Sequence, residues 1–315
     1  MKTIQYILLV FACCFFLSCD DETSEFEYTT PVLLGDPFIL LHNGVYYAYG
    51  TNSSDGIEVY TSNDLNVWNK ESNLALHKND TWGDRWFWAP EVYYIKNTNK
   101  FMMYYTSDEH ICVAISDSPL GPFVQEEKKP MIEDEKCIDN SLYIDEDGKP
   151  YLYFVRFNDG SCIWVAELEN DLQTVKKETM VQCTNATQNW ERVSGRINEG
   201  PFVMKHKGMY YMTYSANHFE SPYYGVGYAT ASSPKGPWTK YDKNPILQKP
   251  GNLAGTGHHA MFYDKEGQMK IVFHSHFSHA TILPRVMHIM DVNYTNDAMP
   301  VMETSGNVLS PTVLR

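Results

Sequence analysis

Short runs of aromatic and β-branched residues, bounded by Gly, Asn, Asp and Lys, dominate the chain. A helical spacing of apolar residues at i, i+3, i+4 and i+7 is not sustained over any long stretch. Runs of this kind, punctuated by turn residues, predict an all-β fold. They also recur. NGVYYAYGT (43–51), NKFMMYYTS (99–107), DGKPYLYFVR (147–156), KGMYYMTYSA (207–216) and EGQMKIVFHSH (266–276) each begin in a turn and continue as a strand. Each is preceded by a first strand: DPFILLH (36–42), APEVYYI (89–95), DNSLYID (139–145), EGPFVMK (199–205) and GHHAMFYD (257–264). A third run follows each pair: IEVYTSNDLNVW, ICVAISDSPLGPF, IWVAELENDL, GVGYATASSPKGPW and RVMHIMDVNY.

Five such units of roughly 50 to 60 residues, each with three or four antiparallel strands, predict a five-bladed β-propeller. A β-sandwich would not generate five matched hairpins. In a propeller the first strand of each blade lines a central channel, so the starts of those strands converge on one place.

Composition agrees with a single globular body. The 315 residues are 43% hydrophobic and 14% aromatic, enough for a core, and no Pro- or Ser-rich linker divides them. The formal charge of −14 argues against nucleic acid or an anionic membrane as the main partner and suits a neutral substrate. Residues 1–19 set one Lys before an apolar run of roughly a dozen residues, too short to span a bilayer, which is a signal-peptide layout. Phe16-Leu17-Ser18-Cys19 resembles a bacterial lipobox, and the acidic stretch 20–29 resembles the tether of a surface lipoprotein. The expected organisation is a lipoprotein-type signal at 1–19, a tether at 20–29 and a catalytic propeller at 30–315. Cys19 would then anchor a monomer at the outer membrane, cell surface or periplasm of a Gram-negative bacterium. Plain secretion is the alternative. Cys112, Cys137, Cys162 and Cys183 remain in the folded part. Their spacing matches no zinc pattern, and both disulfides and free buried thiols stay open.

The starts of the five first strands offer Asp36, Glu91, Asp139, Glu199 and the pair His258-His259. Charges at a tightly packed, partly desolvated channel end are unfavourable, so a ring of them points to function. Two carboxyls facing across a pocket can hydrolyse a glycoside: one, protonated, donates to the leaving oxygen, while the other, ionised, activates water. Each has a plainer reading as well. Asp36 could cap the turn before Pro37, Asp139 could be satisfied by local amides, and Glu199 could pair with Arg192 or Arg196.

GDPFILLHNGVYYAYGT, FWAPEVYYI, CIDNSLYIDEDGKPYLYFVR, INEGPFVMKHKGMYYMTYSA and GTGHHAMF together resemble glycoside hydrolase family 43, from about residue 30 to the C-terminus. The resemblance implies a five-bladed propeller of inverting enzymes acting on arabinose-, xylose- or galactose-containing glycans. By the same resemblance Asp36 is the general base, Glu199 the general acid, and Asp139 the residue that tunes and orients the acid. Trp86 and Trp88 are candidate sugar platforms. Glu91 is a candidate for sugar hydroxyls or for support of the site. Arg285 resembles a family arginine that reaches into the sugar pocket. His258 resembles a central histidine that orders a channel water or a cation such as calcium, held through waters; no cofactor is otherwise required. His259 is expected to be a neighbour rather than a ligand. His274 and His276, two apart on one strand face, have zinc spacing but suit core or pocket lining better.

The chain carries one propeller's worth of residues without the further β-sandwich of many β-xylosidase-type members. This favours an exo-acting α-L-arabinofuranosidase. β-Xylosidase, exo-β-galactanase and endo-arabinanase activities stay open, as does a non-catalytic glycan-binding propeller. Loops 75–88, 182–196 and 217–224 are the expected specificity loops.

Overall fold

The computed structural model describes residues 29–297 and 301–314. The expected lipidation site, Cys19, and its signal therefore lie outside the described residues. The described chain forms five sheets, each beginning with its innermost strand. Blade 1 runs Gly35–His42, Val45–Thr51, Gly56–Ser62 and Val67–Lys70. Blade 2 has Trp88–Ile95, Lys100–Ser107 and His110–Ser116. Blade 3 has Cys137–Ile144, Pro150–Arg156, Cys162–Leu168 and Val175–Thr184. Blade 4 has Asn198–His206, Met209–Ala216, Gly225–Ala231 and Thr239–Lys240. Blade 5 has Gly257–Tyr263, Met269–Ser275, Val286–Tyr294 and Met302–Leu309. The innermost strands touch in the order 1–2–3–4–5 and back to 1. The five-bladed propeller read from the repeats is the fold.

The hairpins form where the turn residues place them. Asn43-Gly44 and Lys207-Gly208 link inner to second strands as two-residue loops with φ of 49° and 78°, and 48° and 79°. Positive φ at both central positions matches the twist of the flanking strands, and glycine adopts it without strain. Blade 2 lacks a fourth strand. Val124 forms only a bridge to Ile115, because Phe123 next to it donates its N–H to Ala75 of blade 1 at 2.7 Å. The ring closes on the outer edge of blade 1. Thr312–Leu314, just past blade 5, pairs in parallel with Val67–Lys70 and antiparallel with Thr29–Pro31.

Apolar faces meet between blades. Four buried clusters fill the interfaces, one spanning blades 5, 1 and 2 and the others between blades 2 and 3, 3 and 4, and 4 and 5. Trp68, Tyr49, Tyr105, Phe87 and Phe273 are fully buried there, each contributing on the order of 2 kcal/mol. All four cysteines of the folded part are free thiols, and Cys112, Cys137 and Cys162 are buried.

One irregularity positions the site. Every inner strand is interrupted near its start by a bulge, after Gly35, Trp88, Ile138, Glu199 and Gly257. The residue opening each bulge has positive φ: Asp36 (48°), Ala89 (45°), Asp139 (56°), Gly200 (55°) and His258 (40°). These five are the structurally equivalent positions. The sequence-based ring of Asp36, Glu91, Asp139, Glu199 and His258 is corrected at two members: Glu199 precedes its blade's bulge by one residue and Glu91 follows Ala89 by two. Four of the five left-handed residues are not glycine, each disfavoured by about 1–2 kcal/mol, a cost typically concentrated at functional sites.

Candidate active site

The bulges aim Asp36, Asp139 and His258 at the channel axis from blades 1, 3 and 5. The residues just before the bulges form the next layer up, where Trp88, Ile138 and Glu199 line the pocket. Gly35 and Gly257 hold the other two places, and each makes room for a ring or fork. A Cβ on Gly35 would lie 2.3 Å from the Arg285 guanidinium, and one on Gly257 would lie 2.4 Å from the Tyr224 ring. Glycine at these two points lets Arg285 and Tyr224 enter the same layer as Glu199.

Asp36 is buried and saturated with partners. Arg285 donates to both its oxygens, at 2.5 and 2.9 Å, and the Thr51 hydroxyl donates to Oδ2 at 2.6 Å. His258 Nδ1 and His274 Nδ1 lie 3.3 and 3.4 Å from Oδ1. Burial pushes the carboxyl up, but the Arg285 guanidinium, with His258 beside it, outweighs burial and holds Asp36 well below the usual carboxylate range. His274 accepts the Asp36 N–H at Nδ1 (3.1 Å), and burial holds its ring neutral. It is a buried support of the site, and its neighbour His276 bonds the Phe219 carbonyl at 2.8 Å.

Asp139 and Glu199 differ from Asp36. Burial pushes Asp139 up to about 7, with Glu199 and Asp36 adding repulsion and His258 and the Gly200 N–H opposing it. Burial likewise pushes Glu199 up to about 7, opposed by the Tyr224 hydrogen bond and assisted by the charge of Asp36. The two form a coupled pair that retains a proton to near neutrality. Neither arginine of the preceding loop pairs with Glu199: Arg196 makes a bidentate pair with Asp159 at 2.6 and 2.5 Å, and Arg192 bonds Asn189.

Tyr224 escaped the sequence reading. Its hydroxyl donates to Glu199 Oε1 at 2.7 Å, and its ring stacks on His274 with centroids 5.6 Å apart. The available signal was indirect: an aromatic at the end of a loop, and a Gly opening the blade 5 strand. Tyr224→Phe removes a donor that favours ionised Glu199. The alkaline limb of kcat/KM is therefore expected to move to higher pH, measured as a pH profile against wild type.

The pocket has a volume of about 940 Å³. Trp86 and Trp88 both line it and stack at 5.6 Å with planes 17° apart, and Arg85 caps Trp86 at 4.1 Å. Arg285 reaches the wall, as expected, but its guanidinium is engaged by Asp36. Glu91 does not reach the pocket. It is buried against Tyr93 and Ser141, and burial raises its carboxyl to about 8, so of its two expected roles the sugar contact is dropped and support, between blades 2 and 3, remains. His259 is buried and bonds Thr213 at 2.6 Å. Loops 75–88 and 217–224 contribute Arg85 to Trp88, His218 and Phe219 to the wall, whereas 182–196 contributes none. That loop is pinned from outside the pocket by Glu191, which accepts from Tyr214 and Lys240 at 2.7 and 2.5 Å.

One ligand atom each of Asp139, Glu199 and His258 lie within 4.8 Å of one another. Two carboxyls and an imidazole fall short of the six to eight oxygens calcium takes, and Asp139 Oδ2 already accepts the Gly200 N–H at 3.1 Å. A cation at this point would take most of its ligands from water, and no step below uses one.

A β-propeller whose channel mouth holds one firmly ionised carboxylate beside two that keep a proton has the equipment of a glycosidase. Residues 28–300 match the model of glycosyl hydrolases family 43, and the chain belongs to that family. It is 47% identical to a solved structure described as an endo-1,4-beta-xylanase from Bacteroides thetaiotaomicron, with a TM-score of 0.88 over 92% of this chain and 100% of that one. It is 27% identical to a beta-D-galactofuranosidase of Aspergillus niger over 89% of this chain and 86% of that protein. An arabinoxylan arabinofuranohydrolase of Paenibacillus polymyxa is 25% identical over 76% of this chain, which spans 44% of that longer relative. The protein is a family 43 glycosidase.

Proposed function

We propose that the enzyme is an inverting exo-glycosidase that releases α-L-arabinofuranosyl units from plant cell-wall glycans. The observation that carries this reading is a pocket centred on the propeller axis. Asn52 and Ser54, Trp86 and Trp88, Ile138 and Phe157, Ile197 and Phe219, and Leu283 and Arg285 line it from all five blades. A chain-end sugar fits a site lined on every side of the axis, whereas internal cleavage needs a cleft that runs past it in both directions.

Asp36, ionised across the working range, takes a proton from the water that attacks C1. Glu199 gives its proton to the glycosidic oxygen as the C1–O bond breaks; afterwards Asp36 releases its proton to solvent and Glu199 recovers one from it. Asp139 holds and tunes Glu199. Trp86 and Trp88 offer apolar faces to the sugar. The furanosyl preference is supported by two relatives named for furanosyl substrates. β-D-Galactofuranose and α-L-arabinofuranose share their ring configuration and differ in the exocyclic carbons. A β-xylosidic activity is the second reading, favoured by the relative described as a xylanase.

The test is a panel of aryl α-L-arabinofuranoside, β-D-xyloside, β-D-galactofuranoside and β-D-galactopyranoside, with arabinan, arabinoxylan and xylan. Release of arabinose with inverted anomeric configuration, followed by early-time NMR, is expected; a retained anomer would remove Asp36 as base. The profile of kcat/KM against pH is expected to fall above about 7, where Glu199 and Asp139 lose their shared proton. Arg285→Met removes the cation that offsets burial at Asp36, so the acid limb should move to higher pH. Lipidation at Cys19 completes the proposal, and it rests on the lipobox alone. Cys19→Ala is expected to move the enzyme from the membrane fraction to the soluble one.

A further inference from the structure

The N–H of each bulge-opening residue needs an acceptor, and four of the five find it at one repeated position. Ala89 donates to Thr51 Oγ1 at 3.0 Å, Asp139 to Thr106 Oγ1 at 3.2 Å, His258 to Ser215 Oγ at 2.8 Å, and Asp36 to His274 Nδ1 at 3.1 Å. Each acceptor stands on the second strand of the preceding blade, opposite the residue before that blade's bulge: Gly35 pairs with Thr51, Trp88 with Thr106, Glu199 with Ser215 and Gly257 with His274. The fifth member of the set, opposite Ile138, is Val155, which is fully buried and has nothing to accept with. The N–H left over is that of Gly200, and it bonds Asp139 Oδ2 at 3.1 Å instead.

We infer that Val155 is a positioning residue: by withholding an acceptor it leaves the Gly200 N–H to Asp139 and so draws that carboxyl across to the blade carrying Glu199. Blade 1 supplies the comparison within the same molecule. Asp36 and Asp139 occupy equivalent left-handed positions, with φ of 48° and 56°. Beside Asp36 stands Thr51, which takes the Ala89 N–H itself and donates its own hydroxyl to Asp36 Oδ2 at 2.6 Å. Asp36 thus keeps to its own blade and faces Arg285. Thr and Val have nearly the same shape, so a single hydroxyl separates the two arrangements. Threonine at 155 would rebuild the blade 1 pattern in blade 3, taking the Gly200 N–H and pulling Asp139 back from Glu199. The other groups facing Asp139 are Asp36 with Arg285, Glu91 with Tyr93 from blade 2, Glu199 with Tyr224, and His258; the substitution alters none of them.

The consequence for turnover rests on reading Glu199 as the proton donor, whereas the exchange of hydrogen-bond partners does not. The experiment follows the Gly200 amide proton by NMR in glycine-labelled protein, alongside kcat and KM. Wild type and Val155→Ala are expected to share one low-field Gly200 signal, since neither offers a hydroxyl. Asp139→Ala and Val155→Thr should both move it upfield. Val155→Thr should also lower kcat about tenfold relative to Val155→Ala with KM little changed, the effect of one charge-assisted hydrogen bond. Val155→Ser, which copies the hydroxyl that Ser215 presents in blade 4, repeats the test if threonine is poorly tolerated. A Gly200 signal unmoved by Asp139→Ala, or threonine and serine variants that keep the signal and the kcat of Val155→Ala, would overturn the inference. If wild type is inactive on every glycoside, the functional reading fails while the NMR comparison still decides the hydrogen bond.

Discussion

Glu199→Gln is expected to lose about three orders of magnitude in kcat on natural glycans, and far less on an aryl glycoside whose phenolate departs without a proton. Glutamine keeps the size of the side chain and can still accept from Tyr224, so the pocket should stay intact. What it lacks is the acidic proton that burial retains on Glu199 up to about pH 7. A sugar alkoxide is a poor leaving group and needs that proton; a dinitrophenolate does not. The measurement is kcat on arabino-oligosaccharide and on the dinitrophenyl glycoside. An equal loss on both would show that Glu199 is not the proton donor. Substrate binding, measured separately by calorimetry, should survive.

Asp36→Asn should lose about a thousandfold on both substrates alike, because activation of water is required whatever leaves. It should also destabilise the fold, unlike Glu199→Gln. Arg285 is nearly buried, with its side chain 10% exposed, and loses the carboxylate that compensates it. Breaking such a pair by removing one partner costs about 3 kcal/mol. Asp36 is held below its usual 3.8, so its contribution is full above that pH and fades as acid neutralises the carboxylate. The stability gap between wild type and variant should therefore be wide at pH 6 and narrow progressively below pH 3.8, as read from denaturant midpoints. A gap that stays constant into strong acid would argue against the ion pair as its source. The two variants together separate the roles, since only one is sensitive to the leaving group.

Some of this was legible along the chain because it depends on local chemistry. Five runs with strand-like composition, separated by turns such as Asn43-Gly44, specify five hairpins and hence the propeller. The three carboxyls were found from the same repeats, each at the start of a first strand. Their partners were not legible. A residue such as Tyr224 lies 25 positions from the Glu199 it contacts, and nothing periodic links them. Glu91 was misplaced for a related reason: the sequence shows where a strand begins but not where its bulge falls, and moving the bulge by two residues takes a carboxyl from the pocket to the interior.

The sequence by itself determined the all-β repeat, the closure of five units into one ring and the carboxyl-bearing strands, because alternation, turns and residue type act over a few neighbours. Only the tertiary structure decided which carboxyl is ionised and which keeps a proton. That depends on burial, on Arg285 lying against Gly35, and on whether the facing blade presents Thr51 or Val155 to a bulge N–H, and these contacts exist only once the ring has closed.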